Sequence, residues 1–279
     1  MPIIIICCVI LLCVILYLLL IAGERPSRSQ IEPFQNLMCA HRGLYAADQS
    51  VPENTLRAFE LAVENGYGVE LDVQLTKDGE VVVFHDDVVD RETEYTGRVD
   101  SYTLAELQAM SLFGTHGDKL NIPLFTDVMN VLDGVSPTIV ELKSTENYPE
   151  LCEKTLAILR ECEGPYCVES FDPRIVRWFR EFAPDIMRGQ LSESYRGWRS
   201  SMGPLQAFAL SHFWTNFVTR PHFLAYGSMK KPLGLTFNKL AGVFMVYWTE
   251  TPESDSKKIA SFYDCRIFQH FFPEPLYFK

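Results

Sequence analysis

Short apolar, strand-like runs recur along the chain at residues 37–41, 68–76, 80–85, 138–144, 166–170, 186–191, 222–226 and 243–249. Between several of them lie amphipathic, helix-like stretches. This alternation is the strongest constraint on the fold, because strands joined by helices build a parallel sheet covered by helices. Eight such runs predict an α/β protein of the (β/α)8 TIM-barrel class, with an open doubly wound sheet as the competing arrangement. One connecting helix is well marked. Leu56, Phe59 and Val63 share a face that begins near Asn54 and stops before Gly66, a residue suited to the turn after a helix. Residues 88–122 fit no single helix. They read as a small insertion after strand 3, built on a short helix at 102–107 and flanked by Gly97, Gly114 and Gly117.

The 279-residue chain opens with an uncharged, almost wholly apolar run at 3–22. At ~1.5 Å rise per residue, twenty residues span the ~30 Å hydrocarbon core of a bilayer. The start of the chain has no basic residue and the run is long for a cleaved signal peptide, so an uncleaved anchor is expected. Residues 1–23 then form a transmembrane anchor, 24–36 a polar linker, and 37–279 the barrel. Arg25 and Arg28 follow the span, so a single-pass protein of the cell membrane with its barrel on the cytoplasmic side is expected. The net charge of −11 argues against a nucleic-acid partner. Cys7, Cys8 and Cys13 lie in the apolar run. Cys39, Cys152, Cys162, Cys167 and Cys265 are scattered without a CxxC pair, so neither a disulfide framework nor a zinc site is expected.

Four polar clusters sit at or near strand ends: AHRG at 40–43, VELDV at 69–73, VFHD at 83–86 and VELK at 140–143. Barrel enzymes carry their chemistry at the C-terminal ends of strands. Side chains two apart on a strand share a face, so Glu70 aligns with Asp72, and Glu141 with Lys143, while Val69, Leu71, Val73, Val140 and Leu142 face the other way. Carboxylates that converge inside a barrel repel one another unless a cation lies between them. An all-oxygen set suits a hard divalent ion such as Mg2+ or Ca2+. His41 and His85, at two strand ends beside Arg42 and Asp86, suit an acid/base pair.

These residues resemble the glycerophosphodiester phosphodiesterase family from about residue 37 to the C-terminus. The matching runs are AHRG at 40–43, PENTLRAF at 52–59, ELDVQLTKDG at 70–79, VVFHDD at 82–87, ELKS at 141–144 and ESFDPRIVRWFRE at 169–181, with VYWTETPE around Trp248 a looser match. The resemblance implies a (β/α)8 barrel with the small insertion at about 88–122. It implies one divalent cation held by Glu70, Asp72 and Glu141, His41 and His85 as general acid and base, and Arg42 and Lys143 on the phosphate. The activity implied is metal-dependent hydrolysis of a glycerophosphodiester to glycerol 3-phosphate and an alcohol. A lysophospholipase D-type reaction on a membrane-derived lysolipid would use the same residues. Which histidine is the acid stays open at this point.

Residues 204–217 carry many apolar side chains and no charge. They fit either an outer barrel helix packed as core or a stretch partly exposed near the active-site rim. For the orientation, protease added to intact cells is expected to leave the barrel uncut. Cleavage there, with a cytosolic control protected, would reverse it.

Overall fold

A computed structural model of the chain describes residues 2–113 and 120–274. A long helix α1 (Pro2–Ile21) leads to a single-turn helix α2 (Arg28–Ile31). The order continues β1 (Met38–His41), α3 (Leu56–Glu64), β2 (Gly68–Leu75), β3 (Val81–Val83), α4 (Leu104–Ala109), α5 (Phe125–Leu132), β4 (Thr138–Leu142), α6 (Tyr148–Arg160) and β5 (Tyr166–Ser170). It ends α7 (Pro173–Phe182), β6 (Arg188–Ser192), α8 (Tyr195–Trp198), α9 (Pro204–Ser211), α10 (Asn216–Thr219), β7 (Phe223–Tyr226), α11 (Leu233–Leu240), β8 (Phe244–Glu250), α12 (Ser256–Ala260) and β9 (Cys265–Phe268).

Eight strands pair in parallel around a closed ring, β1-β2-β4-β5-β6-β7-β8-β9, and β9 pairs with β1 to close it. This is the expected TIM barrel. Two strands depart from the sequence reading. The run at 80–85 supplies β3, which pairs antiparallel with β2 outside the ring, Val73 opposite Val83. Its apolar character comes from a different core: Val82 and Phe84 pack with Val89, Val99, Leu107, Met110, Leu112 and Ile122 under the insertion. The remaining barrel strand is β9. Only four residues long, with Arg266 inside it, it has too weak an alternation to register as a strand in sequence. Gly114 and Gly117 lie outside the described residues.

Inside the ring, Leu37, Cys39, Ile139, Cys167, Met187, Phe223, Phe244, Val246, Cys265 and Ile267 pack together, with Phe34 among them. Phe34 precedes β1 and therefore covers the N-terminal end of the barrel. Filling the ring in this way needs paired large and small residues. At Gly189 an added Cβ would lie only 2.1 Å from the Phe223 ring, so the ring occupies the space the glycine leaves. Between strands and outer helices a second layer joins Val69, Leu71, Val73, Val140 and Leu142 to Phe59, Phe125, Leu151 and Phe179. The assignment of these valines and leucines to the helix-facing side is as expected. Residues 204–217 break into α9 and α10 around Phe213, whose φ of 61° interrupts the helix. Phe213 is buried, while Leu205, Phe208 and Phe217 are exposed. Helix α1 is long and apolar enough to cross a membrane, a form that anchors and signal sequences share.

Because β9 supplies two of the ring's pairings, removing residues 265–279 should open the barrel and leave the edges of β1 and β8 unpaired. Cooperative thermal unfolding by circular dichroism should disappear in that truncation. A retained sharp transition would show that the ring does not need β9.

Candidate active site

The strand register assembles the site. His41 on β1 pairs with Glu70 on β2, Asp72 on β2 with Glu141 on β4, and Glu141 with Glu169 on β5. The charged residues thus come from adjacent strands at neighbouring levels near the C-terminal rim. β2 runs eight residues, and β3 folds back along its end, with Phe84 N donating to Asp72 O at 2.9 Å. That hairpin carries His85 to the mouth. His41, Arg42, Glu70, His85, Glu141 and Glu169 line one cavity of about 70 Å3, walled by Phe171, Leu191, Trp248 and Ile267. Asp72 and Lys143 adjoin it: Lys143 Nζ lies 2.8 Å from both Asp72 Oδ1 and Glu141 Oε1. All seven predicted site residues are therefore together.

The turn after β1 fixes Arg42. Its φ is 55°, its backbone N–H donates to Glu70 Oε2 at 3.0 Å, and its guanidinium pairs with Glu53 at 2.7 Å and lies 3.6 Å from Asp72. Gly43 follows at φ 79°, where a Cβ would meet the Ala58 backbone at 2.8 Å, so the turn demands glycine there. Asn54 completes the frame by donating to Asp72 Oδ2 at 2.9 Å.

Carboxyl oxygens of Glu70, Asp72 and Glu141 can lie within 4.8 Å of one another, all in buried residues. Burial, together with the charges on Asp72 and Glu141, pushes the Glu70 carboxyl well up from its ordinary range. Burial raises Glu141 as well, against the pull of Lys143. Burial also opposes ionisation at Asp72, but Lys143, His85 and Arg42 outweigh it and hold that carboxyl low. A divalent cation fits this donor set: all ligands are oxygens, desolvated, and mutually repelling without a counter-charge.

Each histidine is held through Nδ1. His41 Nδ1 lies 2.6 Å from Gln269 Oε1, which also accepts from the Tyr45 hydroxyl at 3.1 Å, so His41 donates Nδ1–H and turns an unprotonated Nε2 inward, 3.9 Å from Glu70. Burial, helped by Arg42, lowers its pKa to about 3. His85 Nδ1 lies 2.5 Å from Asp86 Oδ1, and Arg91 Nε anchors the other Asp86 oxygen at 2.6 Å.

The sequence reading missed several members. Glu169 is buried with Oε2 unbonded, and burial plus Glu70 and Glu141 pushes its carboxyl well up. Its signal was present in the ESF run, two residues after Cys167 on the inward face. Asn54 and Glu53 lay within a matched run without an assigned role. Gln269 follows the strand that the sequence did not reveal.

A model described as the glycerophosphoryl diester phosphodiesterase family matches residues 41–258. The glycerophosphodiester phosphodiesterase of Caldanaerobacter subterraneus subsp. tengcongensis is 31% identical over 235 residues, covering 81% of this chain and 90% of its own. Among solved structures, an Oleispira antarctica phosphodiesterase in complex with sn-glycerol-3-phosphate superposes with a TM-score of 0.69 at 24% identity, covering 84% of this chain and 93% of its own. A Thermotoga maritima glycerophosphodiester phosphodiesterase gives 0.63 at 24% identity, with coverage of 84% and 94%. At this identity the two structures bear on the fold.

Adding Ca2+ or Mg2+ to chelator-treated protein should raise its melting temperature. At a hundredfold excess over Kd the gain is about 2.7 kcal/mol, or roughly 5–10 °C for a barrel of this size. Glu70→Gln should lose most of that rise. An unchanged rise in the variant would remove Glu70 from the cation site.

Proposed function

The chain belongs to the glycerophosphoryl diester phosphodiesterase family, and from that premise we propose that it hydrolyses glycerophosphodiesters to glycerol 3-phosphate and an alcohol, with His41 as general base and His85 as general acid. It is a phosphoric diester hydrolase. The observation that carries the assignment is the buried carboxylate triad in contact with the cavity that both histidines line.

A divalent cation, Mg2+ or Ca2+, when held by Glu70, Asp72 and Glu141, supplies Lewis-acid stabilisation of charge on the phosphoryl oxygens. Arg42 and Lys143 add the cationic contacts, Arg42 as a planar fork and Lys143 as a point charge. His41 is neutral near pH 7 and offers Nε2 to the proton of the attacking oxygen. That oxygen belongs to water or to the neighbouring glycerol hydroxyl, the latter forming a cyclic phosphate that water then opens. As the new P–O bond forms, the bond to the departing alkoxide breaks, and His85 protonates that oxygen. The Asp86 carboxylate, itself fixed by Arg91, holds His85 through Nδ1 and so leaves Nε2 of the ring to face the departing oxygen.

The second reading, a lysophospholipase D-type reaction, draws on the exposed Leu205 and Leu233 together with the apolar α1. In both readings residues 1–23 anchor a catalytic domain of residues 37–279 to the cell membrane, with the barrel on the cytoplasmic side. The segment between them, 24–36, packs onto the barrel through Phe34.

His41→Ala and His85→Ala should each lower kcat on glycerophosphocholine by roughly 10²–10⁴-fold. With a p-nitrophenol glycerophosphodiester, whose leaving group needs no proton, His85→Ala should recover most of its loss and His41→Ala should not. Recovery by His41→Ala alone would exchange the two roles, and full turnover in either variant would remove that histidine from the mechanism.

A further inference from the structure

The join between α1 and the barrel has a direction. At its upper end, Ile21 Cδ1 lies 3.4 Å from where a Cβ on Gly234 would sit, and Gly234 is the second residue of α11. One turn further along α11, the buried Asn238 donates to Ile21 O at 2.9 Å and accepts from Gly23 N at 2.7 Å. The next residue, Glu24, is at the N-terminal end of the barrel: its N–H donates to Pro221 O at 2.8 Å, just before β7, and its carboxylate pairs with Arg188, the first residue of β6, at 2.7 Å. Residues 21–24 therefore run in the same sense as α11. Outer helices of a barrel run from the C-terminal face of the strands to the N-terminal face. It follows that α1 arrives from the catalytic side.

The joint is firmly built. Buried Asn216 also donates to Ile21 O, at 2.8 Å, and Arg220 donates to Ala22 O at 2.8 Å, so side chains of the barrel satisfy the last carbonyls of α1. Beyond Tyr17, the residues nearer the N-terminus leave the protein body and are exposed. On the same catalytic side, Leu233 at the start of α11 is 87% exposed and Leu205 at the start of α9 is 75% exposed. Tyr195 opens α8 nearby, and Arg196, Arg199 and Lys230 are exposed in these connections. Apolar side chains interspersed with cations suit the headgroup layer of an anionic bilayer.

We propose that the catalytic mouth faces the bilayer, with Leu205, Leu233 and Tyr195 seated in the lipid interface and α1 rising past them into the membrane. This rests on reading α1 as a retained anchor. Exposure alone does not choose the face, because Phe182 at the end of α7, on the opposite side, is also 65% exposed. The direction of residues 21–24 makes the choice, and apposition of the mouth to the membrane gives headgroup phosphodiesters a short path to the cavity.

The test uses the full chain in vesicles of phosphatidylethanolamine and phosphatidylglycerol, with the photo-crosslinking residue p-benzoylphenylalanine replacing Leu205, Leu233 or Phe182 in turn. A cooperative thermal transition by circular dichroism in each variant reports that the barrel is folded, and glycerophosphocholine turnover is measured separately. Lipid adducts at positions 205 and 233 and none at 182 are expected. Adducts at 182, or at neither leucine position, would overturn the orientation. The two readings fail separately: a chain that forms the adducts but hydrolyses no glycerophosphodiester keeps the orientation and loses the proposed activity.

Discussion

Repulsion among buried carboxyl groups is the constraint on which the site depends. Glu70, Asp72, Glu141 and Glu169 share a desolvated barrel mouth, and each ionised member raises the cost of ionising the next. Arg42 and Lys143 offset only part of this charge. Without a cation, Glu70 and Glu169 keep protons that an unfolded chain would release in the ordinary carboxylate range. Stability of the metal-free protein should accordingly fall as pH rises through their raised values, since the unfolded state then binds fewer protons. A bound cation reverses that balance by favouring the ionised triad.

The barrel tolerates such a cluster because its frame is supplied elsewhere. The interior below the mouth is apolar, and the strands pack outward through valine and leucine against the helices. The polar set occupies only the upper level, where three consecutive register pairs bring His41, Glu70, Asp72, Glu141 and Glu169 side by side. Side-chain bonds then limit each group's freedom: Asn54 on Asp72, Gln269 on His41, Asp86 on His85 and Glu53 on Arg42. Substitution of any of these partners should disturb the site through the residue it positions.

Much of this was legible in the sequence, for identifiable reasons. Period-two alternation in VELDV and VELK is strong because one face meets helices and the other meets charge, so inward and outward sides separated cleanly. The TIM barrel followed from counting strand-like runs. The count of eight held although one member was misplaced, since β3 is as apolar as a barrel strand but packs under the insertion. β9 was lost because four residues carry little periodicity, and Gln269, the partner of His41, was lost with it. Glu169 escaped notice because a lone acid on a strand carries no pattern of its own. Its role emerges only from its register opposite Glu141. The join of α1 to the barrel was not legible at all: Asn216 and Asn238 are ordinary helix residues until the fold brings both to one carbonyl.

The central claim, that buried and mutually repelling acids form a site for a divalent cation, is most directly tested by calorimetric titration of the metal-free protein with Ca2+ and Mg2+ near pH 7, in buffers of differing ionisation enthalpy. The account predicts that cation binding releases protons, because burial raises Glu70 and Glu141 and ligation requires their ionised carboxylates. Binding with no change in the observed enthalpy between buffers, or no binding of either cation, would contradict it.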